Sequence, residues 1–248
     1  MGISSNITFT ISRIEELIYG VTFDPAIKRG KVIVDLSLVK KEDLDRVLEI
    51  FSQVMYSDIA VSPLIKIVDE GETSGDLVIE EGKVGILTIC SITIDGVLLK
   101  AGIPSKLKCG GVVQVRDREP VRFTDLLMYV STTLDPLEVF TSKNFTSVLQ
   151  VITTGSGKIL ANLREVPMSA REDVESVLED LAAAGLNGVL AVGEPNTPLL
   201  DVPVGRDRVG IALIGSHNLV AAGIESDIEI QSKGISHLVE VSEMRPLI

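Results

Sequence analysis

The residue pattern of this 248-residue chain predicts an α/β protein. It reads as two β-α-β-β-α-β units with mixed sheets, related by a pseudo-twofold axis. Three observations carry that prediction. Short segments recur in the same order: Gly30–Leu36 returns as Gly157–Leu163, Val84–Ile86 as Val209–Ile211, and Ala101–Ile103 as Ala222–Ile224. The helical spacing of Leu44, Val47, Leu48 and Phe51 returns in Val174, Val177, Leu178 and Leu181. Apolar residues make up 45% of the chain but aromatics only 4%, with no Trp, so the core is aliphatic, as suits a layered α/β body. A doubled unit puts the natural ligand site at the seam between copies.

Residues 1–12 read as a polar lead-in, 13–126 as the first unit, 127–156 as a connecting helical segment and 157–248 as the second unit. Lys31 to Val39 alternates, with Val32, Val34, Leu36 and Leu38 facing one way and Asp35 and Ser37 the other, which is strand periodicity. Glu42 to Met55 shifts to helical spacing. Ile59 to Val68 is β-rich, and Pro63 removes its middle from a ladder. A loop follows, then Lys83 to Cys90, an apolar run typical of a buried strand. Thr93 to Ala101 is a short helix closed by Gly102, and Gly111 to Val115 starts another strand. Asp135 is placed to cap a helix with Pro136 first and Glu138 third.

Thr153 to Gly157 reads as a flexible entry to the second unit. Lys158 to Val166 repeats the first strand, and Ser169 with Glu172 has capping-box spacing ahead of a helix that Gly185 ends. Gly188 to Val192 and Arg208 to Gly215 are strands, Asn218 to Ala222 is a short helix, and Ile228 to Val241 holds the final strands.

Charge excludes some functions. The formal net charge is −12, which repels phosphate backbones, so the chain is a poor nucleic-acid binder by itself. Cys90 and Cys109 are the only cysteines, with neither zinc spacing nor a disulfide framework; a reducing, cytoplasmic setting follows. No run is long enough for a transmembrane helix, so no membrane partner is expected. Thr153–Lys158 has the look of a phosphate loop but lacks the required spacing and leads into a strand. No nucleophile elbow or metal spacing is present.

The two strand-to-helix junctions are the natural anion sites. At Cys90-Ser91-Ile92-Thr93, backbone N–H groups and two hydroxyls stand at a helix start. The plainer alternative is a cap and a packed thiol. The second junction, Gly215-Ser216-His217-Asn218, offers a histidine that can bind ligand anions or act as a proton donor near neutral pH, or serve merely as a loop residue or cap. Arg164 follows Asn162 at strand spacing, so both project to one face. Arg164 can fork onto a carboxylate or pair internally with Glu165 or Asp135.

Several blocks resemble one family: Lys83–Ile103, Pro120–Phe123, Thr132–Glu138, Gly155–Pro167, Arg208–Gly215 and Ala221–Ile224. They are similar to the regulatory domain of the archaeal nitrogen repressor, NrpR, from about Arg13 to the C-terminus. The resemblance implies an effector-sensing domain of a repressor of nitrogen assimilation that responds to 2-oxoglutarate, needs no cofactor and is no enzyme. It also implies a homodimer. DNA would be reached only through a separate helix-turn-helix domain or partner, since residues 1–12 are too few to form one.

A dicarboxylate with a ketone needs two anion sites and a donor. Cys90, Ser91 and Thr93 are expected at one carboxylate, Arg122 or Arg164 at the other, with Thr133 as a further hydroxyl. The rival reading is an enzyme acting on a 2-oxo acid through His217 or Cys90; a purely structural dimerisation module is a third.

Overall fold

Two long strands, at Lys31–Lys40 and Gly157–Pro167, organise two five-stranded sheets. The computed structural model describes residues 10–130, 132–141 and 145–247. In its first half the elements are α1 (Thr10–Gly20), β1 (Lys31–Lys40), α2 (Leu44–Met55), β2 (Leu64–Val68), the two-residue strands β3 (Thr73–Ser74) and β4 (Leu77–Val78), β5 (Lys83–Ile89), α3 (Thr93–Lys100), β6 (Lys106–Arg116) and β7 (Glu119–Met128). Then come α4 (Pro136–Phe140), α5 (Val148–Thr154), β8 (Gly157–Pro167), α6 (Arg171–Ala184), β9 (Val189–Val192), β10 (Arg208–Ile214), α7 (Asn218–Glu225), β11 (Gln231–Glu240) and β12 (Arg245–Pro246).

The sheets run β11-β1-β5-β2-β12 and β7-β6-β8-β10-β9. Each of the two long strands, β1 and β8, pairs on one side with the strand before a short helix, β5 or β10. On its other side it takes a strand from the other half of the chain, β11 or β6. Every pairing among the described residues is antiparallel, which corrects the expectation of mixed sheets. The reason lies in the crossover. β1 and β2 do run the same way across α2, but β5 inserts between them and opposes both.

Both faces of β1 are covered, so Asp35 and Ser37 are buried rather than wet. One face packs with α1, α3 and α6 residues such as Ile14, Val97 and Leu181. The second core gathers Val47, Phe51 and Val54 of α2 with Leu160, Leu163 and the α7 residues Leu219 and Ala222. Across the seam α2 packs on α7 and α3 on α6. Burying one such aliphatic side chain contributes about 1.5–3 kcal/mol, so these two clusters dominate the stability.

Local signals account for most boundaries. The α3 end is a Schellman motif: Ile103 N–H reaches Leu98 O at 2.9 Å and Gly102, at φ 81°, donates to Leu99 O at 3.0 Å. Gly185 ends α6 the same way, with Leu186 N–H on Leu181 O at 2.9 Å. Asp135 caps α4 through Oδ1 on Leu137 N–H at 2.9 Å, with Pro136 in the first turn. The capping box at Ser169 does not form. A 3-10 turn over Met168–Ala170 leads into α6, and no side chain caps its start.

Three further differences follow. α1 begins at Thr10, inside the expected lead-in, whose residues 1–9 lie outside the described residues. β7 was unforeseen and continues to Met128, past the boundary placed at 126. Thr153 and Thr154 belong to α5, and Gly155 closes it at φ 74°, so this entry is structured. The connecting segment also contains Ser131 and residues 142–144, which lie outside the described residues.

Candidate functional site: a buried polar seam

Strand periodicity puts Asn162 and Arg164 on one face of β8, and the fold turns that face inward. Arg164 is wholly buried, as are Ser91 and Asp95. Asn162 Nδ2 donates to Ser91 Oγ at 3.1 Å. Arg164 Nε stands 2.9 Å from Asp95 Oδ1, which also accepts from Ser105 Oγ at 2.7 Å. The ion pair is therefore with Asp95, and neither Glu165 nor Asp135 is the partner. Glu165 pairs instead with Lys108 at 2.5 Å.

Several buried polar atoms have no hydrogen-bond partner within the protein. Apart from Arg171 Nε on α6, those among the described residues are Asn162 Oδ1, all three guanidinium nitrogens of Arg164, both ring nitrogens of His217, and the second carboxyl oxygens of Asp35 and Asp95. Arg164 thus has a counter-ion but no aligned hydrogen bond. Each such atom costs roughly 1–3 kcal/mol when left alone, more if charged. Those at the seam are concentrated on β1, α3, β8 and the β10–α7 junction, where unused hydrogen-bonding capacity gathers inside an otherwise aliphatic core.

The opposite wall comes from the second junction and β11. Ser216 Oγ lies 3.7 Å from Cys90 Sγ, joining the two junctions. A bulge interrupts the β1–β11 ladder beside Asp35. There Ile235 adopts φ 50°, a strained setting for a β-branched residue, and donates its N–H to Asp35 Oδ1 at 2.6 Å. The preceding Gly234 N–H goes to Glu138 Oε1 at 2.6 Å. A cavity of about 290 Å³ opens here, lined by Arg13, Thr133, Asp135, Glu138, Lys233 and Gly234 among others.

Burial sets the protonation chemistry. It pushes the Asp135 carboxyl up to about 6; His217 and the Leu137 N–H oppose the rise, while Glu138 and Asp35 add to it. Burial likewise raises Asp95 against the pull of Arg164 and Ser105. The Cys90 thiol is raised well above its ordinary range by burial, with Asp35 adding to the effect, so it is a poor thiolate nucleophile. Tyr129 is raised by burial too.

Of the residues expected from sequence, the fold brings Cys90, Ser91 and Arg164 together and puts Thr133 at the cavity. Thr93 faces the strand behind. Its Oγ1 accepts from Ile33 N–H at 2.9 Å and donates to Ile33 O at 3.1 Å, so its one proton is not free for a carboxylate. Arg122 is exposed on β7 opposite Gln114, about 20 Å up the strand from Tyr129. The amides expected at the α3 start are engaged in tight turns: Thr93 N–H on Cys90 O and Ile94 N–H on Ser91 O. Side chains, not the helix end, carry this site. Asp35, Asp95, Tyr129, Asp135 and Gly234 stand around the seam and were not foreseen as site residues; the polar face of β1 pointed toward Asp35, and the cap spacing and the pairing weighed for Arg164 pointed toward Asp135.

Comparison with known proteins agrees with this architecture. Residues 7–246 match the family model of NrpR regulatory domains NRD1 and 2. The global nitrogen regulator NrpRI of Methanosarcina mazei is 38% identical over 239 residues, 96% of this chain and 73% of that protein. The global nitrogen regulator NrpR of Methanocaldococcus jannaschii is 32% identical over 226 residues, covering 91% of this chain but only 37% of its own length. These relatives are named as regulators, not enzymes. A crystal structure of a nitrogen repressor-like protein from Methanococcus jannaschii superposes with a TM-score of 0.83 at 30% identity, covering 98% of this chain and 100% of that one. The chain belongs to the family of NrpR regulatory domains.

Proposed function

We propose that this chain is the effector-sensing domain of a repressor of nitrogen assimilation and binds 2-oxoglutarate in the polar seam. The observation that carries the reading is the Arg164–Asn162–Ser91 set: buried donors with unused hydrogen-bonding capacity, inside a nitrogen-regulator family domain. A fork of guanidinium N–H groups matches a carboxylate, and Ser91 and Asn162 lie beside it for the adjoining ketone. Thr93 and Arg122 are set aside as ligands.

The reading takes the chain as two copies of one unit. Supporting this, Cys90 N–H bonds Ile33 O at 2.9 Å and Gly215 N–H bonds Leu160 O at 2.8 Å, at corresponding points of the two sheets. Effector binding between the halves would bias their relative arrangement, which is how a binding event reaches a partner domain. DNA is contacted through a separate helix-turn-helix domain or partner, because a net charge of −12 opposes direct contact. A cytoplasmic homodimer completes the proposal. No helix among the described residues is long and apolar enough to cross a membrane.

Calorimetric titration with 2-oxoglutarate, succinate and glutamate tests the reading. The parent should bind 2-oxoglutarate saturably and recover it unchanged. Arg164→Lys, which keeps the charge and loses the fork, should bind at least tenfold more weakly, whereas Arg122→Ala should match the parent. Absence of binding, or turnover of the 2-oxo acid, would overturn it.

A further inference from the structure

The seam is short of positive charge for a dianion. Around it stand the carboxyls of Asp35 on β1, Asp95 on α3 and Asp135 ahead of α4, and Glu138 lies on the outer side of Asp135. Against them is Arg164 on β8, already beside Asp95 at 2.9 Å. Cys90 and Tyr129 are neutral, and Arg13 of α1 and Lys233 of β11, which line the cavity, are exposed and half-buried. Arg13 is engaged there, donating to Ile235 O at 2.8 Å. A second carboxylate in the buried seam therefore lacks a buried cation unless His217 supplies it.

His217 is built into the position that such a group needs. It is almost fully buried, and neither ring nitrogen has a partner. It stands across Gly234 from Asp135. A Cβ on Gly234 would lie 2.8 Å from Asp135 Oδ2, 2.7 Å from His217 Cε1 and 3.1 Å from His217 Nε2. Glycine thus lets the β11 backbone pass close between a carboxylate on one side and an imidazole on the other. An imidazole carries one proton more readily when an anion enters beside it, and a neighbouring carboxyl that is protonated stops repelling that anion.

We propose that His217 is the second anchor of the dianion, and that binding draws a proton into the seam, held between His217 and Asp135. This rests on the sensor reading and specifies its second half. Arg164 fixes one carboxylate; His217 with Ser216 fixes the other. Affinity then depends on pH: if one proton is taken up per effector, the dissociation constant rises up to about tenfold per pH unit once the free protein has released that proton.

The test is calorimetry of the intact chain at pH 6, 7 and 8 in two buffers of different ionisation heat. The probes are 2-oxoglutarate and 2-oxobutyrate, which lacks the distal carboxylate. The expected result is uptake of about one proton with 2-oxoglutarate and weaker binding as pH rises. His217→Gln should weaken 2-oxoglutarate at least tenfold at pH 6 and leave 2-oxobutyrate unchanged. Asp135→Asn should keep binding and flatten the pH slope. Binding of 2-oxoglutarate with no proton uptake, or equal affinity of His217→Gln and parent, would overturn this proposal alone. No heat with either acid at any pH would overturn the sensor reading with it.

Discussion

At the first junction Thr93 holds the backbone of Ile33 through one hydroxyl; at the second, Asn218 holds Leu160 through an amide. Asn218 Oδ1 accepts from Leu160 N–H at 2.7 Å, and Nδ2 donates to Leu160 O at 3.2 Å. The two side chains do one job, pinning a long inner strand to the start of a short helix. Their neighbours differ. Ile92 is a core residue, whereas His217 one position before Asn218 is a buried polar residue without partners. Likewise β1 carries Asp35 and Ser37 where β8 carries Asn162 and Arg164. The scaffold role is kept in both halves, while charge and donors are divided between them. A site at the seam thus has a cationic wall on one half and an acidic, titratable wall on the other.

The sharpest way to break that contrast is Arg164→Ala. It strips Asp95 of its counter-ion in a fully buried setting, and removing one partner of a buried pair costs about 3–5 kcal/mol. Denaturant unfolding should show that loss. The loss should grow between pH 5 and 8, because the bared carboxyl, already raised by burial, must then either ionise or hold its proton against solution. Ser37→Ala, at the matching place in β1, should cost no more than about 1 kcal/mol.

Next in size is the pinning pair. Asn218→Ala removes two bonds to Leu160 and one to Ile59 O at 3.3 Å, and should cost about 2–4 kcal/mol. Thr93→Val removes a hydroxyl of similar shape and should cost about 1–3 kcal/mol. Equal losses would mean the two junctions are more alike than their chemistry implies.

Asp135→Asn sharpens the description of the acidic wall. Its carboxyl is raised from 3.8 to about 6 in the folded chain, so the folded state binds the proton more tightly than the unfolded one. Its contribution is fully present below the unfolded value and is lost as pH rises through about 6. The amide keeps the cap on Leu137 and cannot ionise. Without effector, the variant should match the parent near pH 4 and be more stable by about 1–2 kcal/mol at pH 8 in thermal unfolding. The smallest effect is expected from Arg122→Ala on exposed β7: within about 0.5 kcal/mol of the parent.

Much of this was legible because it is local. Lys31–Lys40 and Lys83–Ile89 announce themselves by alternation and apolar run, and Gly102 and Gly185 stand where a helix must leave right-handed geometry. Arg164 and Asn162 were legible as one face of a strand. One strand and one helix were harder. β7 mixes Pro120, Arg122 and Asp125 into an outer strand, and only pairing with β6 makes it one. α1 is amphipathic but begins in a polar stretch. Thr93 was harder to read because a hydroxyl at a helix start serves a ligand or a neighbouring strand equally well until that strand is in place.

By itself the sequence determined the order and type of most elements, the aliphatic cores and the acidic surface, since these follow from residue spacing and composition within a few turns of chain. It also marked the strand faces on which Asp35, Asn162 and Arg164 lie. Only the tertiary structure decided that β6 and β11 cross to the other half's sheet, that Arg164 meets Asp95, and that His217 faces Asp135 across Gly234. Alternation tells a side chain which face it takes. It carries no information about which distant strand will cover that face, and that choice rests on packing of the whole molecule.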